Sequence, residues 1–210
     1  MRTDQLIEAL VADRKARAWS PRWLPIAFAL GLLVSLVAFL ATLGVRPDIA
    51  PALATWRFDF KIAVMLLALV LAWRLCRVLA SPFEVRRPAW RLLPLAIVLA
   101  AALVAELALA PVATWGTRLL GTNWAICLTA IPLLSLAPLG ALLVALRSAA
   151  PQSPTRAGAA AGLLAVASGA TLYAFHCFDD SPLFVATWYL LAAAPVVLLG
   201  ILLGHRLLRW

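Results

Sequence analysis

Six apolar stretches, each of about 20 residues and nearly free of charge, constrain this chain more than any other feature. A helix needs roughly 20 apolar residues to cross the hydrocarbon core of a bilayer, so each stretch is long enough for one crossing. The chain is 65% hydrophobic and 13% charged, whereas a typical soluble domain is about 25% charged. The sequence therefore predicts an all-α integral membrane protein with six transmembrane helices. The predicted spans cover residues 24–44, 62–80, 92–112, 124–146, 157–178 and 183–204.

Basic residues divide unevenly between the two sides of this bundle. Of the 18 Lys and Arg residues, 14 fall in the N-terminal segment, in or just before the second connection, in the fourth connection and in the C-terminal tail, and 4 fall in the alternate connections. Because cytoplasmic loops carry the excess of Lys and Arg, both termini are predicted to be cytoplasmic. The net charge of +9 then reflects orientation in a membrane, and no direct contact with nucleic acid is expected. The longest external loop covers residues 45–61, and its sequence does not indicate a function.

The only sizeable polar segment is residues 1–22, which precede a transmembrane domain at residues 23–210. Asp4 suits the positive N-terminal end of a short helix. Its apolar side chains recur at helical spacing on one face, at Leu6, Ile7, Leu10 and Val11. A helix of about 14 residues is marginal alone in water, so this face needs a partner. The acidic first turns favour a protein partner over an anionic lipid surface, which attracts Lys and Arg.

Two of the three cysteines are predicted to lie at the external level of the bundle. Cys127 falls near the start of the fourth span and Cys177 at the end of the fifth, whereas Cys76 falls at the cytoplasmic end of the second. A disulfide needs Cα atoms within about 7 Å, so Cys76 cannot reach the other two in this topology. Cys127 and Cys177 are therefore a candidate pair facing an oxidising compartment.

The residues next to Cys177 widen the chemistry that this pair of thiols can perform. His176 precedes the thiol, and Asp179 and Asp180 follow it. Imidazole and thiolate bind soft and borderline metals, and an imidazole can make a thiol more reactive. Two interpretations stay open: a sensor of oxidant or of a transient metal at Cys127, Cys177 and His176, or buried thiols that act as small hydrophobes.

Glu106 is the one acidic residue inside a predicted span. An intramembrane carboxylate suggests function, although Glu106 lies near the external end and could extend its side chain to the interface. The chain has no CxxC, HExxH, GxSxG or P-loop motif, so a non-enzymatic function is expected. The alternative is a small intramembrane enzyme or transporter that uses Glu106, Cys127 and His176. A scaffold with inert cysteines is a third possibility.

Four segments resemble the NrsF family, named for negative regulation of sigma F. They are TDQLIEAL at 3–10, HCFDDSPLF at 176–184, Trp188-Tyr189 and GHRLLRW at 204–210. The six-span layout and the position of Cys127 are also similar to that family.

The resemblance implies a function that composition and spacing do not. It implies a membrane-bound anti-sigma factor of a bacterial inner membrane, which holds an extracytoplasmic-function sigma factor until stress arrives. By resemblance, Cys127 and Cys177 are the family's two cysteines, and residues 1–22 bind the sigma factor through Asp4 and the apolar face of the N-terminal segment. Cys76 has no counterpart role.

Overall fold

The computed structural model describes residues 23–81 and 88–209, together with Thr3 and Gln5. Within this part of the chain the secondary structure is helical and contains no strand. The predicted N-terminal amphipathic helix and its apolar face lie outside the described residues, apart from Thr3 and Gln5, and stay a prediction.

Six helices in the described part are long and apolar enough to cross a membrane, which confirms the predicted number and fits a multi-pass membrane protein. The spans are Trp23–Thr42, Trp56–Leu79, Ala89–Leu109, Val112–Arg147, Pro154–Ala174 and Pro182–Leu207. Their main helices are named α1 (Trp23–Thr42), α2 (Trp56–Leu79), α3 (Leu93–Leu109), α4 (Trp124–Arg147), α5 (Pro154–Ala174) and α6 (Pro182–Leu207). Short helical segments lie between them, at Ile49–Ala52, Pro88–Leu92, Val112–Thr114 and Trp115–Leu120.

Two boundaries of these main helices differ from the sequence-based expectation by four residues or more, and both lie at the end of the bundle that holds Cys177. The second span was expected from residue 62, but α2 begins at Trp56, so its first turns occupy part of the predicted loop 45–61. The fifth span was expected to reach residue 178, but α5 ends at Ala174. In both cases polar contacts between connections decide the boundary, and hydropathy does not register such contacts.

The helix α5 lies at the centre of the bundle and packs on α2, α4 and α6. Its glycines allow the closest approach, because Gly158 and Gly162 lie against Gly200 and Gly204 of α6. A Cβ atom on Gly200 would lie 2.5 Å from the carbonyl oxygen of Gly158. Small residues four apart permit such backbone contact between membrane helices. The GxxxG segments 158–162 of α5 and 200–204 of α6 therefore face each other.

The helix α1 packs mainly on α4, at the position of a proline in α4. Pro138 has no N–H group, so the carbonyl oxygen of Leu134, four residues earlier, lacks its helical donor. The hydroxyl of Ser35 on α1 donates to that oxygen over 2.6 Å. One turn away, a Cβ atom on Gly31 would lie 2.6 Å from the Cα atom of Pro138. Gly31 and Ser35 of α1 thus lie against the turn of α4 that contains Pro138.

Candidate functional site

Both candidate sensor thiols lie at one end of the bundle and are fully buried. Cys127 is in the first turn of α4, and Cys177 is in the connection between α5 and α6. Cys76 lies near the other end of α2, fifteen residues beyond Lys61, which contacts Cys177. At 1.5 Å per residue this is a separation of roughly 22 Å along the helix. All three thiols are free, and the bundle places Cys127 and Cys177 at the same end.

The Cys177 thiol is held within its own loop. Its Sγ atom donates to the carbonyl oxygen of Asp179 over 3.8 Å. Burial raises the pKa of the Cys177 thiol, and the nearby ammonium of Lys61 partly opposes that rise. The thiol form therefore predominates at neutral pH in this packing arrangement. A thiol protected in this way reacts slowly unless the loop moves, because the thiolate is the nucleophile.

Two buried cations from other elements hold the backbone of this loop. The ammonium of Lys61, on α2, donates to the carbonyl oxygen of Cys177 over 2.8 Å and pairs with the carboxylate of Asp180. The guanidinium of Arg46 donates to the same carbonyl oxygen over 3.2 Å and to Asp180 over 3.0 Å. Arg46 also pairs with Asp48 at 2.7 Å. The cations lie in protein, with 0% of the Lys61 side chain and 6% of the Arg46 side chain exposed.

Arg46 and Asp48 form an ion pair in which each side chain stabilises the charged form of the other. Hydrogen bonding to Asp48 is the main reason that the pKa of Arg46 is raised, and Asp180 adds to this rise. The same hydrogen bond lowers the pKa of Asp48. Both groups therefore stay charged at neutral pH.

The loop that carries Cys177 is also tied to the connection that follows α1. The backbone N–H of Arg46 donates to the carbonyl oxygen of Phe175 over 3.0 Å. The Nδ1 atom of His176 lies 3.1 Å from the carbonyl oxygen of Gly44. Gly44 has a positive φ of 68°, a conformation that glycine adopts without steric cost. Four contacts, including those of the Arg46 side chain, therefore join the end of α1 to the loop around Cys177.

Asp179 joins the same loop to the start of α4. Its carboxylate accepts from the backbone N–H of Thr122 over 3.0 Å and from that of Asn123 over 2.8 Å. Asn123 is the N-cap residue of α4 and Thr122 precedes it. The N–H group of an N-cap residue has no partner inside the helix, and a carboxylate beside it interacts favourably with the helix dipole. Asp179 thus caps α4 from a distant loop, directly ahead of the turn that contains Cys127.

Glu106 has a structural role that differs from the expected extension to the interface. Its side chain is 3% exposed, and its carboxylate pairs with Arg118 at 2.5 Å and Arg57 at 3.2 Å. The hydroxyl of Ser181 donates to it over 3.4 Å. Glu106 therefore joins α2 and α3 to the connections before α4 and α6.

The metal prediction gains no geometric support in the part of the chain that the structure describes. No three side chains of His, Cys, Asp or Glu there converge in a way that could hold a metal ion. His176 contacts Gly44, and both Asp179 and Asp180 are engaged by other groups. A transient metal at Cys127, Cys177 and His176 stays a prediction.

Four basic residues that the sequence analysis counted only for orientation form these ion pairs: Arg46, Arg57, Lys61 and Arg118. A signal for them exists in the sequence. They are the cations on the predicted external side, where the positive-inside tendency disfavours them. Such exceptions suggest acidic partners, and Glu106 and Asp180 lie at the same predicted level.

Comparison with known proteins assigns the family. The family model described as "NrsF: Negative regulator of sigma F" matches residues 10–210. The chain belongs to the NrsF family. A relative from Caulobacter vibrioides, named anti-sigma-F factor NrsF, is 35% identical over 216 residues and is covered over 100% of both chains. A relative from Azospira oryzae, named probable anti-sigma-F factor NrsF, is 40% identical over 90 residues, which are 43% of this chain and 42% of the relative. No solved structure matches.

NrsF membership agrees with the resemblance noted in the sequence and indicates a regulatory protein. The family match includes both Cys127 and Cys177 and begins at Leu10, inside the N-terminal polar segment. Asp4, Leu6 and Ile7 precede the matched residues, although the alignment with the Caulobacter relative covers the whole chain.

Proposed function

We propose that this NrsF protein is a membrane-embedded anti-sigma factor that sequesters an extracytoplasmic-function sigma factor through cytoplasmic residues 1–22. It releases the sigma factor when Cys127 and Cys177 sense oxidant or metal stress. Both termini lie on the cytoplasmic side of a bacterial inner membrane, and the protein carries out no catalysis. The observation that carries the proposal is the full-length relationship to a protein named anti-sigma-F factor.

The N-terminal segment supplies the binding element. Burying Leu6, Ile7, Leu10 and Val11 on a sigma factor contributes about 1.5–3 kcal/mol for each side chain, before the cost of ordering the segment is subtracted. A switch must change the affinity by roughly 1–3 kcal/mol to be useful. If one or two of these side chains leave the interface, the affinity for the sigma factor falls by an amount in that range.

The arrangement around Cys177 supports a mechanism for sensing. A disulfide requires the two Cα atoms to lie about 4.4–6.8 Å apart in a specific geometry. If Cys177 moves to satisfy it, Lys61 and Arg46 lose their shared acceptor, the Cys177 carbonyl oxygen. A buried charge that loses an acceptor is costly, and both cations remain paired with Asp180, so the loop and the first turns of α2 repack together when the disulfide forms.

Contacts of α1 support a path by which a structural change at the thiols reaches the cytoplasmic segment. The end of α1 is tied to the Cys177 loop through Gly44 and Arg46. Its middle is tied to α4, the helix of Cys127, through Ser35 and Leu134. A change at either thiol therefore acts on α1, and residues 1–22 directly precede α1 in the chain.

Co-purification tests the binding element. The chain is expressed in membranes with the candidate sigma factor, and the experiment is repeated with Leu6→Asp plus Leu10→Asp. The matched control, Ala9→Asp plus Ala12→Asp, adds the same charge to the opposite predicted face. We expect wild type and control to retain the sigma factor and the first double variant to lose it. Equal retention by all three proteins would refute the role of the apolar face.

Replacement of each cysteine tests the sensing step. Cys127→Ser and Cys177→Ser are each introduced into cells that report sigma-dependent transcription. We expect both variants to bind the sigma factor and to lose induction by oxidant. Normal binding together with normal induction in both variants would contradict a sensor at these thiols.

A further inference from the structure

Two tyrosine hydroxyls lie beside the two thiols. Tyr173 lies in the last turn of α5 and Tyr189 in the first turns of α6, with their ring centroids 6.0 Å apart. Both side chains are buried, at 0% and 5% exposure. The Tyr173 hydroxyl and the backbone N–H of Cys127 both donate to the carbonyl oxygen of Asn123, over 3.3 Å and 2.8 Å. The backbone N–H of Cys177 donates to the carbonyl oxygen of Tyr173 over 3.0 Å. One buried cluster therefore contains two thiols and two phenols.

The two hydroxyls differ in their partners. The Tyr173 hydroxyl donates to the carbonyl oxygen of Asn123 over 3.3 Å. The Tyr189 hydroxyl is the one buried side-chain polar atom in the described part of the chain that has no hydrogen-bond partner. Leaving a buried hydroxyl unpaired destabilises a protein, and most such groups in native structures are paired.

The backbone at Tyr189 is also unusual. Residues Val185–Tyr189 form a π-helical turn within α6. Such turns are rare and occur mostly as single turns at functional sites. The π-helical turn and the unpaired hydroxyl are independent observations, and both involve Tyr189.

We propose that the Tyr189 hydroxyl donates a hydrogen bond to the oxygen of a sulfenic acid formed at Cys127 or Cys177, and so assists their conversion to a disulfide. A sulfenic acid oxygen is a strong acceptor, whereas a thiol sulfur is a weak one. The hydroxyl therefore gains a partner only once the sulfur is oxidised. This inference rests on the proposed function, in which the two thiols are the sensor.

The chemistry balances with a hydroperoxide as the two-electron oxidant. In the first step a thiol attacks hydrogen peroxide, an S–O bond forms, the O–O bond breaks and water leaves. In the second step the other thiol attacks the oxidised sulfur, an S–S bond forms, the S–O bond breaks and a second water leaves. The two thiols supply two electrons and two protons. Tyr189 donates to the oxygen that departs in the second step.

The test compares wild type with Tyr189→Phe, both in a Cys76→Ser background, as full-length protein in lipid nanodiscs. Hydrogen peroxide is the probe, and mass spectrometry of the Cys127–Cys177 linked peptide follows disulfide formation. Alkylation of the same thiols by iodoacetamide is the matched reaction, because iodide leaves and no oxygen needs a donor. We expect disulfide formation to be about tenfold slower in Tyr189→Phe, the factor expected for one hydrogen bond, with alkylation unchanged.

The remaining outcomes separate this inference from the proposed function. Equal rates of disulfide formation in the two proteins would overturn the role of Tyr189 and leave the thiol sensor standing. If the rates of disulfide formation and of alkylation changed by the same factor, the substitution would have altered the packing, and the role of Tyr189 would also be overturned. Absence of the disulfide in wild type would overturn this inference together with redox sensing by the pair.

Discussion

The ammonium of Lys61 donates to the carbonyl oxygen of Cys177 over 2.8 Å, inside the protein and away from solvent. The two residues are separated by 116 positions in the chain. The same ammonium pairs with Asp180, so one side chain of α2 fixes both the backbone and a carboxylate of the loop around the thiol. Movement of Cys177 is therefore coupled to a buried charge.

Lys61→Met should destabilise the bundle, because Asp180 and the Cys177 carbonyl oxygen each lose a buried donor. Methionine has similar length and no charge. We expect a loss of about 3 kcal/mol in the free energy of unfolding, the low end for breaking a buried ion pair, because Arg46 remains as a partner. Reversible unfolding in detergent measures this loss. The exposed Arg156 provides the control, Arg156→Met, and equal stability of the two variants would contradict the role given to Lys61.

Hydropathy predicted the helical framework because it depends on residues close together in the sequence. The six spans follow from apolar length. The contact of Gly158 and Gly162 with Gly200 and Gly204 was not predicted, because small-residue spacing does not identify which helices pack together. The early start of α2 was missed because Arg57 and Lys61 lower its mean hydropathy. Burial of their charges is possible only through partners that the local sequence does not contain.

The candidate site was only partly predictable for the same reason. Its two thiols could be placed at one level by counting spans. The partners of Lys61, Arg46 and Glu106 depend on contacts between connections that are far apart in the sequence. The spacing of residues within one segment does not predict such contacts. The unpaired hydroxyl of Tyr189 likewise depends on a π-helical turn that a regular helical pattern does not predict.

Gly31→Ala should separate α1 from α4. The added Cβ atom would lie 2.6 Å from the Cα atom of Pro138, which is backbone and cannot rotate away. We expect a loss of about 1–3 kcal/mol in stability, as for overpacking elsewhere, and a constitutive loss of sigma-factor retention if α1 transmits the signal. Stability in detergent and co-purification measure the two effects.

Gly140→Ala is the matched control for this change, because it lies on α4 and a Cβ atom there meets nothing within 4 Å. Alanine is favoured over glycine in a helix by about 1 kcal/mol, so this variant should be as stable as wild type or more so. If both variants behaved alike, the contact between α1 and Pro138 would have no influence on the protein.

Asp179→Ala should loosen the start of α4. The change removes the acceptor for the N–H groups of Thr122 and Asn123, which costs about 1 kcal/mol for a typical helix cap. The turn that carries Cys127 should then open more often, so iodoacetamide should alkylate Cys127 faster. Asp59→Ala, an exposed carboxylate in the first turn of α2, is the control and should leave the rate unchanged. Equal rates in all three proteins would argue against capping by Asp179.

Cys177 should react with iodoacetamide more slowly than an ordinary cysteine at neutral pH, because burial raises the pKa of its thiol. The thiolate is the reactive form, so a raised pKa moves the whole rate profile to higher pH. An ordinary cysteine has a pKa of about 8.5, and its rate levels off above that value. In a Cys76→Ser, Cys127→Ser background we expect the rate at Cys177 to keep rising with pH beyond the value at which the rate of an ordinary cysteine levels off. Lys61→Met should move the profile further upward, since the ammonium opposes the rise. A plateau near pH 8.5 in both proteins would mean that neither burial nor Lys61 controls this thiol.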